Sequence, residues 1–305
     1  MHDLLHGGHV FLKMEFIKKN LPKLVFLPSL FTVGFFVYGC ICWTIYISFS
    51  KSKLMPNYDL VGFDQYIRLW SMPRWFVALE NLWIFIIFFV TISIVIGLVL
   101  AIFLDQKIRI EGTLRTIYLY PMALSFIVTG TAWKWILNPG LGVEKFIKSL
   151  GYPSFEFGWL MDPDMAIYTI IMAGIWQSSG FVMALFLAGL RSFDDELIKA
   201  AKIDGASLFV IYSKIIIPSM RPVFMNAIIV LGHLAIKSFD LVIALTKGGP
   251  GLATDMPATF MFSMAFQRGE LGLAAASATM MLMTVVAVIV PYLYSELRKK
   301  NEEAI

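Results

Sequence analysis

LWIFIIFFVTISIVIGLVLAIFL, residues 82–104, carries no charged side chain and no proline. A helix rises about 1.5 Å per residue, so this run is long enough to cross the ~30 Å hydrocarbon layer of a bilayer. Apolar side chains cover every face of such a helix, a pattern of a buried or membrane-crossing helix rather than a soluble surface one. Working outward, runs of similar length occur at 24–49, 114–137, 166–190, 223–245 and 271–294. The expected fold is an all-α polytopic membrane protein with six transmembrane helices over residues 24–294. A basic amino-terminal segment (1–23) precedes them and a short tail (295–305) follows. Of the 305 residues, 58% are hydrophobic and 15% charged, and mean hydropathy is +0.75. That composition leaves no room for a sizeable soluble domain.

The first run follows Lys13, Lys18, Lys19 and Lys23, and it is too long for a secretory signal and lacks a small-residue cleavage site, so it is expected to be retained. With the amino end inside, the cytoplasmic segments hold 15 of the 25 Lys and Arg and the outer segments hold 8. The excess inside predicts that both ends face the cytoplasm of a bacterial inner membrane. A net charge of +4 spread along the chain argues against nucleic-acid binding. Cys40 and Cys42, two apart on one helix, point to different sides and make neither a disulfide framework nor a thiol metal site. His2, His6 and His9 lack a fourth ligand and read as a frayed terminus. No metal and no cofactor are expected.

Residues 191–222, RSFDDELIKAAKIDGASLFVIYSKIIIPSMRP, differ from the other loops. Asp194 and Asp195 cap a first short amphipathic helix whose face holds Leu197, Ala200 and Ala201. Asp204-Gly205 breaks it. Ser207 caps a second helix, faced by Leu208, Ile211, Tyr212 and Ile215 and ended by Pro218. Small residues at the turn allow another protein's backbone to approach closely.

This loop resembles the signature of the membrane subunits of binding-protein-dependent ABC importers: EAA, then G, then I-x-L-P. Ala200, Ala201, Asp204, Gly205, Ala206, Ile215, Ile217 and Pro218 match it. Lys199 stands where the family usually has Glu, so that Glu's salt bridge to the ATPase does not carry over; the neighbouring Glu196 is the candidate substitute. SFDLVIA (238–244), LTKGGPG (245–251) and LAGL (187–190) are similar to the carbohydrate-uptake branch. WQSSGFVMALFLAGL, GLAAASATMML and VPYLYSELR look most like its proteobacterial glucose/mannose permeases.

The resemblance implies half a pore. A second permease subunit would complete it, two ATP-binding cassette subunits would dock on the cytoplasmic loop, and a periplasmic or lipid-anchored binding protein would deliver the sugar. No G-x-x-x-x-G-K-[ST] string is present, so ATP chemistry belongs to the partners and this chain is not itself an enzyme.

Within the fifth run His233, Lys237 and Asp240 fall at i, i+4 and i+7, on one face of an unbroken helix. Charges in hydrocarbon cost roughly 3 kcal/mol or more, so that face should meet water or protein. Two readings stand: a sugar-facing cavity lining, or a Lys237–Asp240 pair buried against the partner. Gln177 and Ser178, beside Trp176, carry the same two readings. Gly248, Gly249 and Pro250 make an outer turn that is either a plain hairpin or, by the resemblance, a binding-protein contact. An alternative class, an ion-coupled secondary transporter acting alone, would require internal repeats, and none is found.

Overall fold

The computed structural model describes residues 25–106, 108–193, 199, 201 and 203–302. Among them every regular element is helical, and the one isolated antiparallel bridge joins Ser50 to Leu60. In chain order the first six are α1 (Val25–Ser48), α2 (Asp64–Ser71), α3 (Pro73–Asp105), α4 (Glu111–Leu119), α5 (Phe126–Ile136) and α6 (Val143–Ser149). Then come α7 (Ala166–Leu190), α8 (Leu208–Ser219), α9 (Arg221–Ile236), α10 (Asp240–Leu245), α11 (Pro257–Phe262) and α12 (Leu271–Glu302). The expected all-α class holds. Of these helices α1, α3, α7 and α12 are each long and apolar enough to cross a bilayer unaided.

The runs at 114–137 and 223–245 are not single helices, and local chemistry explains both breaks. Pro121 has no N–H to extend a helix and crowds the preceding turn, so α4 stops at Leu119. A 3₁₀ turn, Tyr120–Ala123, follows, Leu124 and Ser125 are extended, and Ser125 Oγ accepts the Val128 N–H at 3.3 Å to start α5. The second break lies at Lys237, where the Phe239 N–H donates to the Lys237 carbonyl at 2.7 Å. Asp240 then opens α10, where the helix dipole favours a carboxylate. Between α8 and α9 the chain bends by 65° at Met220.

Helix α7 forms the centre. Ile170, Ala173, Val182, Met183 and Phe186 are wholly buried, facing α3 and the broken spans. Lipid tails are as apolar as these side chains, so close fit rather than hydrophobicity must hold the helices together. Glycines supply that fit. A Cβ on Gly97 of α3 would lie 2.6 Å from Val182 Cγ1, and one on Gly174 of α7 would lie 3.3 Å from the Phe89 ring. Gly180 lets α7 reach the Tyr118 carbonyl at the end of α4, and Gly130 of α5 packs on Ala244 of α10. Helix α1 stands apart: Phe31, Phe35 and Phe36 are exposed, and only its end packs against α12. Such a face suits lipid or a neighbouring span.

Candidate functional site

The 191–222 loop is tied to the bundle at two neighbouring carboxylates, Asp105 and Glu111. Arg191, directly after α7, donates from Nη2 to Glu111 Oε1 at 2.7 Å and to the Leu104 carbonyl at 3.4 Å, with Nε 4.0 Å from Asp105 Oδ1. From the loop's other side the Tyr212 hydroxyl donates to Asp105 Oδ2 at 2.9 Å and accepts from Gln106 Nε2 at 3.2 Å. The end of α3 thus meets both arms of the loop, Asp105 accepting from Tyr212 and the Leu104 carbonyl from Arg191.

Between those arms the chain turns at Gly205, whose φ of +78° is the left-handed conformation that a Cβ disfavours. The Ala206 N–H donates back to the Ala201 carbonyl at 3.0 Å, the six-to-one bond of a Schellman end. Ala201 and Ala206 both pack on the main core. Asp204 is exposed and, among the described residues, its carboxylate has no hydrogen-bond partner, so the turn rests on Gly205 and the backbone. Ser207 Oγ accepts the Val210 N–H at 3.4 Å and caps α8 as expected. Lys199 is exposed; Glu196 and Ala200 lie outside the described residues, as do Asp194, Asp195 and Leu197.

The face of α8 is corrected by the structure. Ile211 and Ile216 are buried, with 1% and 3% of their surfaces exposed, while Leu208 is exposed and Ile215 only partly covered. A π turn over Tyr212–Ile216 inserts one residue, so the inward position after Ile211 falls five residues on rather than four. Pro218 does not end the helix, which continues to Ser219. The wide turn lies just ahead of the proline, whose ring and missing N–H disrupt ordinary helix bonding. Ile203 and Phe209, 86% and 81% exposed, stand outward around the Gly205 turn.

At the opposite end of α3 a second cluster holds the Gly248–Pro250 turn. Lys247, Gly248 and Gly251 have φ values of 57°, 85° and 60°. Thr254 Oγ1 donates to the Gly249 carbonyl at 2.8 Å and lies 2.7 Å from Thr246 Oγ1. Asp255, almost wholly buried, receives Arg74 Nε at 2.6 Å and the Thr259 hydroxyl at 2.7 Å, and Arg74 Nη1 donates to Ser263 Oγ at 3.1 Å. Asn81 Nδ2 donates to the Asp255 carbonyl at 3.0 Å. The turn is therefore a strapped loop rather than a plain hairpin.

The intramembrane polar residues do not share one face. The break after Ile236 carries Lys237 and Asp240 into a cavity of about 110 Å³ with Ser238, Phe85, Phe89 and Phe126. His233 instead lines a separate apolar groove with Trp83, Ile228 and Val288. Among the described residues Lys237 and Asp240 make no ion pair. Gln177 Nε2 donates to the Leu124 carbonyl at 2.7 Å, and Ser178 is buried beside it. Sequence reading passed over Asp105, Arg74 and Asp255, and placed Tyr212 only on an apolar helix face. The available signal was Asp105, the charge that closes the longest apolar stretch, and Arg74, six residues ahead of Glu80 at its other end.

A family model described as binding-protein-dependent transport system inner membrane component matches residues 93–299, which take in this whole loop. The chain belongs to that family. It is a multi-pass permease subunit, and the matched region includes the 191–222 segment. The permease is 42% identical over 279 residues to a probable ABC transporter permease of Pyrococcus horikoshii, covering 90% of this chain and 96% of the relative. It is 37% identical to the xylose/arabinose import permease of Haloferax volcanii, covering 86% and 84%. In fold it is similar to a chain of a bacterial ABC transporter involved in the import of the acidic polysaccharide alginate, with a TM-score of 0.79, 19% identity and coverage of 94% and 98%.

Proposed function

We propose that this permease forms half of the translocation pore of a sugar importer in a bacterial inner membrane. A second permease subunit completes the pore, an ATPase dimer docks on the 191–222 loop, and a separate binding protein delivers the sugar. Both termini lie in the cytoplasm, with residues 1–23 and 295–305 flanking the membrane region. The observation that carries this reading is the loop's build: apolar Ile203 and Phe209 displayed around a left-handed Gly205 turn, with both arms fastened to one helix end. Exposed apolar side chains on a rigid mount are what a docking partner buries. The xylose/arabinose, trehalose/maltose and glucose permeases among its relatives support a sugar cargo. The finer reading is a monosaccharide of the glucose or mannose kind, supported by the quoted sequence strings.

Lys237, Ser238 and Asp240 supply donors and acceptors beside Phe85 and Phe89 and are the groups of this chain suited to meet sugar hydroxyls. Lys199 and Glu196 flank the docking face; Gly248, Gly249 and Pro250 face the delivering protein. The test is a reconstituted complex of the two permeases and the ATPase dimer, assayed with loaded binding protein. Gly205→Val assembles but loses ATPase stimulation. Normal stimulation in an assembled Gly205→Val complex overturns the docking role, and sugar uptake by vesicles holding this chain alone overturns the half-pore.

A further inference from the structure

Residues 50–53 lie where the end of α1 meets the start of α12, and their burial alternates. Ser50 and Ser52 are 0% and 1% exposed, whereas Lys51 and Lys53 are turned outward. The serines are fully engaged. Ser50 Oγ lies 2.5 Å from Ser52 Oγ, the Ser50 carbonyl accepts from Gln65 Nε2 at 3.1 Å, and the Ser52 carbonyl accepts the Gly272 N–H at 2.9 Å. A Cβ on Gly272 would lie 2.5 Å from the Ser50 carbonyl oxygen, so the glycine is what lets α12 start against this segment. Fixed in this way, the segment presents both lysines to a cavity of about 210 Å³ shared with Asp64, Gln65, Arg68 and Glu270.

Within the cavity Arg68 and Glu270 neutralise each other through two hydrogen bonds. Among the described residues Lys51 and Lys53 form no ion pair, and neither does Asp64, in the first turn of α2. Two uncompensated cations thus face one uncompensated anion, and a single added negative charge balances the site. The cavity also sits at the level where two spans end. Helix α1 stops at Ser48 and α12 begins at Leu271, which is the depth of a bilayer's headgroup layer. Around it Trp43 and Tyr46 pack on Tyr58, with ring centres 5.7 and 6.1 Å apart, and Phe49 packs on Phe63. Aromatic side chains of this kind gather at membrane interfaces. Leu54 and Met55, directly after Lys53, are 85% and 80% exposed. Cations beside exposed apolar side chains suit a ligand that is charged at one end and apolar at the other.

From this we infer that the cavity between α1, α2 and α12 binds the headgroup of an anionic phospholipid, its phosphodiester between the Lys51 and Lys53 ammonium groups. The Asp64 carboxylate takes a headgroup hydroxyl, which a glycerol headgroup supplies, and Leu54 and Met55 meet the acyl chains. A choline headgroup has no hydroxyl to donate, and its own cation cancels the phosphate charge that the lysines would gain. The bound headgroup bridges the 50–61 turn, which carries the lysines, to α2, which carries Asp64. This site is separate from the 191–222 loop and from the Lys237 cavity, and it does not depend on the cargo.

The experiment uses the full chain in its purified assembly, stripped of native lipid by detergent exchange. Dioleoylphosphatidylglycerol, dioleoylphosphatidylcholine or soluble sn-glycerol 3-phosphate is added, and hydrogen exchange is followed over residues 49–61. Melting temperature, measured without lipid, confirms that each variant is folded. The expected result is slower exchange in that stretch with phosphatidylglycerol alone. Lys51→Ala combined with Lys53→Ala should raise the half-saturating lipid concentration roughly 30-fold, the factor for two lysine charges at an anionic surface. Lys51→Arg combined with Lys53→Arg should keep the protection, because the charge remains. Equal protection by phosphatidylcholine in the unaltered chain, or an unchanged half-saturating concentration in the alanine variant, overturns the site. Protection by glycerol 3-phosphate at the concentration where the lipid acts makes a soluble phosphate ester the ligand and overturns the lipid assignment. Protection that arises only when a sugar-binding protein is added gives the lysines to that partner and overturns it equally.

Discussion

Gln177 Nε2, buried at the middle of α7, lies 2.7 Å from the Leu124 carbonyl oxygen, which the break before α5 leaves without a helical donor. The side chain therefore closes an open backbone group that hydrocarbon would otherwise penalise. Gln177→Met, similar in length and without the amide, is expected to destabilise the detergent-solubilised permease by on the order of 1–3 kcal/mol, the cost of an unpaired buried acceptor. Thermal unfolding measures the loss, and hydrogen exchange should quicken first around residues 124–128. Unchanged stability would show that water reaches the Leu124 carbonyl.

The π turn makes neighbouring isoleucines unequal. Ile216→Ala opens a cavity beneath α8 and should cost roughly 2–5 kcal/mol, whereas Ile215→Ala should cost clearly less because its side chain is only partly covered. Melting temperatures of the two variants decide the matter. Equal losses, or a larger one at 215, would restore the regular four-residue spacing and remove the π turn.

Arg74 and Asp255 form an ion pair whose side chains are 17% and 3% exposed. Removing the cation alone leaves a buried carboxylate uncompensated, so Arg74→Ala should cost about 3–5 kcal/mol. Arg74→Ala combined with Asp255→Ala should cost less than the sum of the two single changes, because neither charge is then stranded. Denaturation of the four species closes the cycle, and strict additivity would mean that the pair does not interact.

Arg68 grips Glu270 with two hydrogen bonds, of 2.9 and 3.2 Å, joining α2 to the start of α12. Those bonds hold the Glu270 carboxyl below its usual value, against the opposing effect of burial. A depressed acid stabilises the fold fully above the ordinary carboxylate value of 4.5 and loses that contribution as pH falls through the lower folded value. The Arg68 side chain is about half exposed, so screening limits the effect to about 1 kcal/mol or less. Glu270→Gln should melt earlier than the unaltered chain at pH 7, with the gap closing as the medium is taken well below pH 4.5. A gap constant across that interval would show that the pair contributes nothing.

Much of this protein was legible in its sequence because the governing forces are local or one-dimensional. An uncharged run such as 82–104 has to satisfy its backbone internally in hydrocarbon, so it becomes a helix wherever it sits. Asp204-Gly205 stops a helix because the left-handed position excludes a Cβ, and Ser207 caps because its hydroxyl reaches the next turn. What only the tertiary structure decided depends on groups distant in the chain. The break at Pro121 is tolerable because Gln177, 53 residues later than Leu124, covers the freed carbonyl. Lys237 and Asp240 parted from His233 because three residues between α9 and α10 abandoned the helix, which periodicity cannot register. Asp105 gained its place only when α3 ended beside both arms of one loop, and Arg74 only when Asp255, 181 residues away, was buried against it. Hydrophobic length sets where a helix forms; where it is fastened depends on which charge finds a partner in three dimensions.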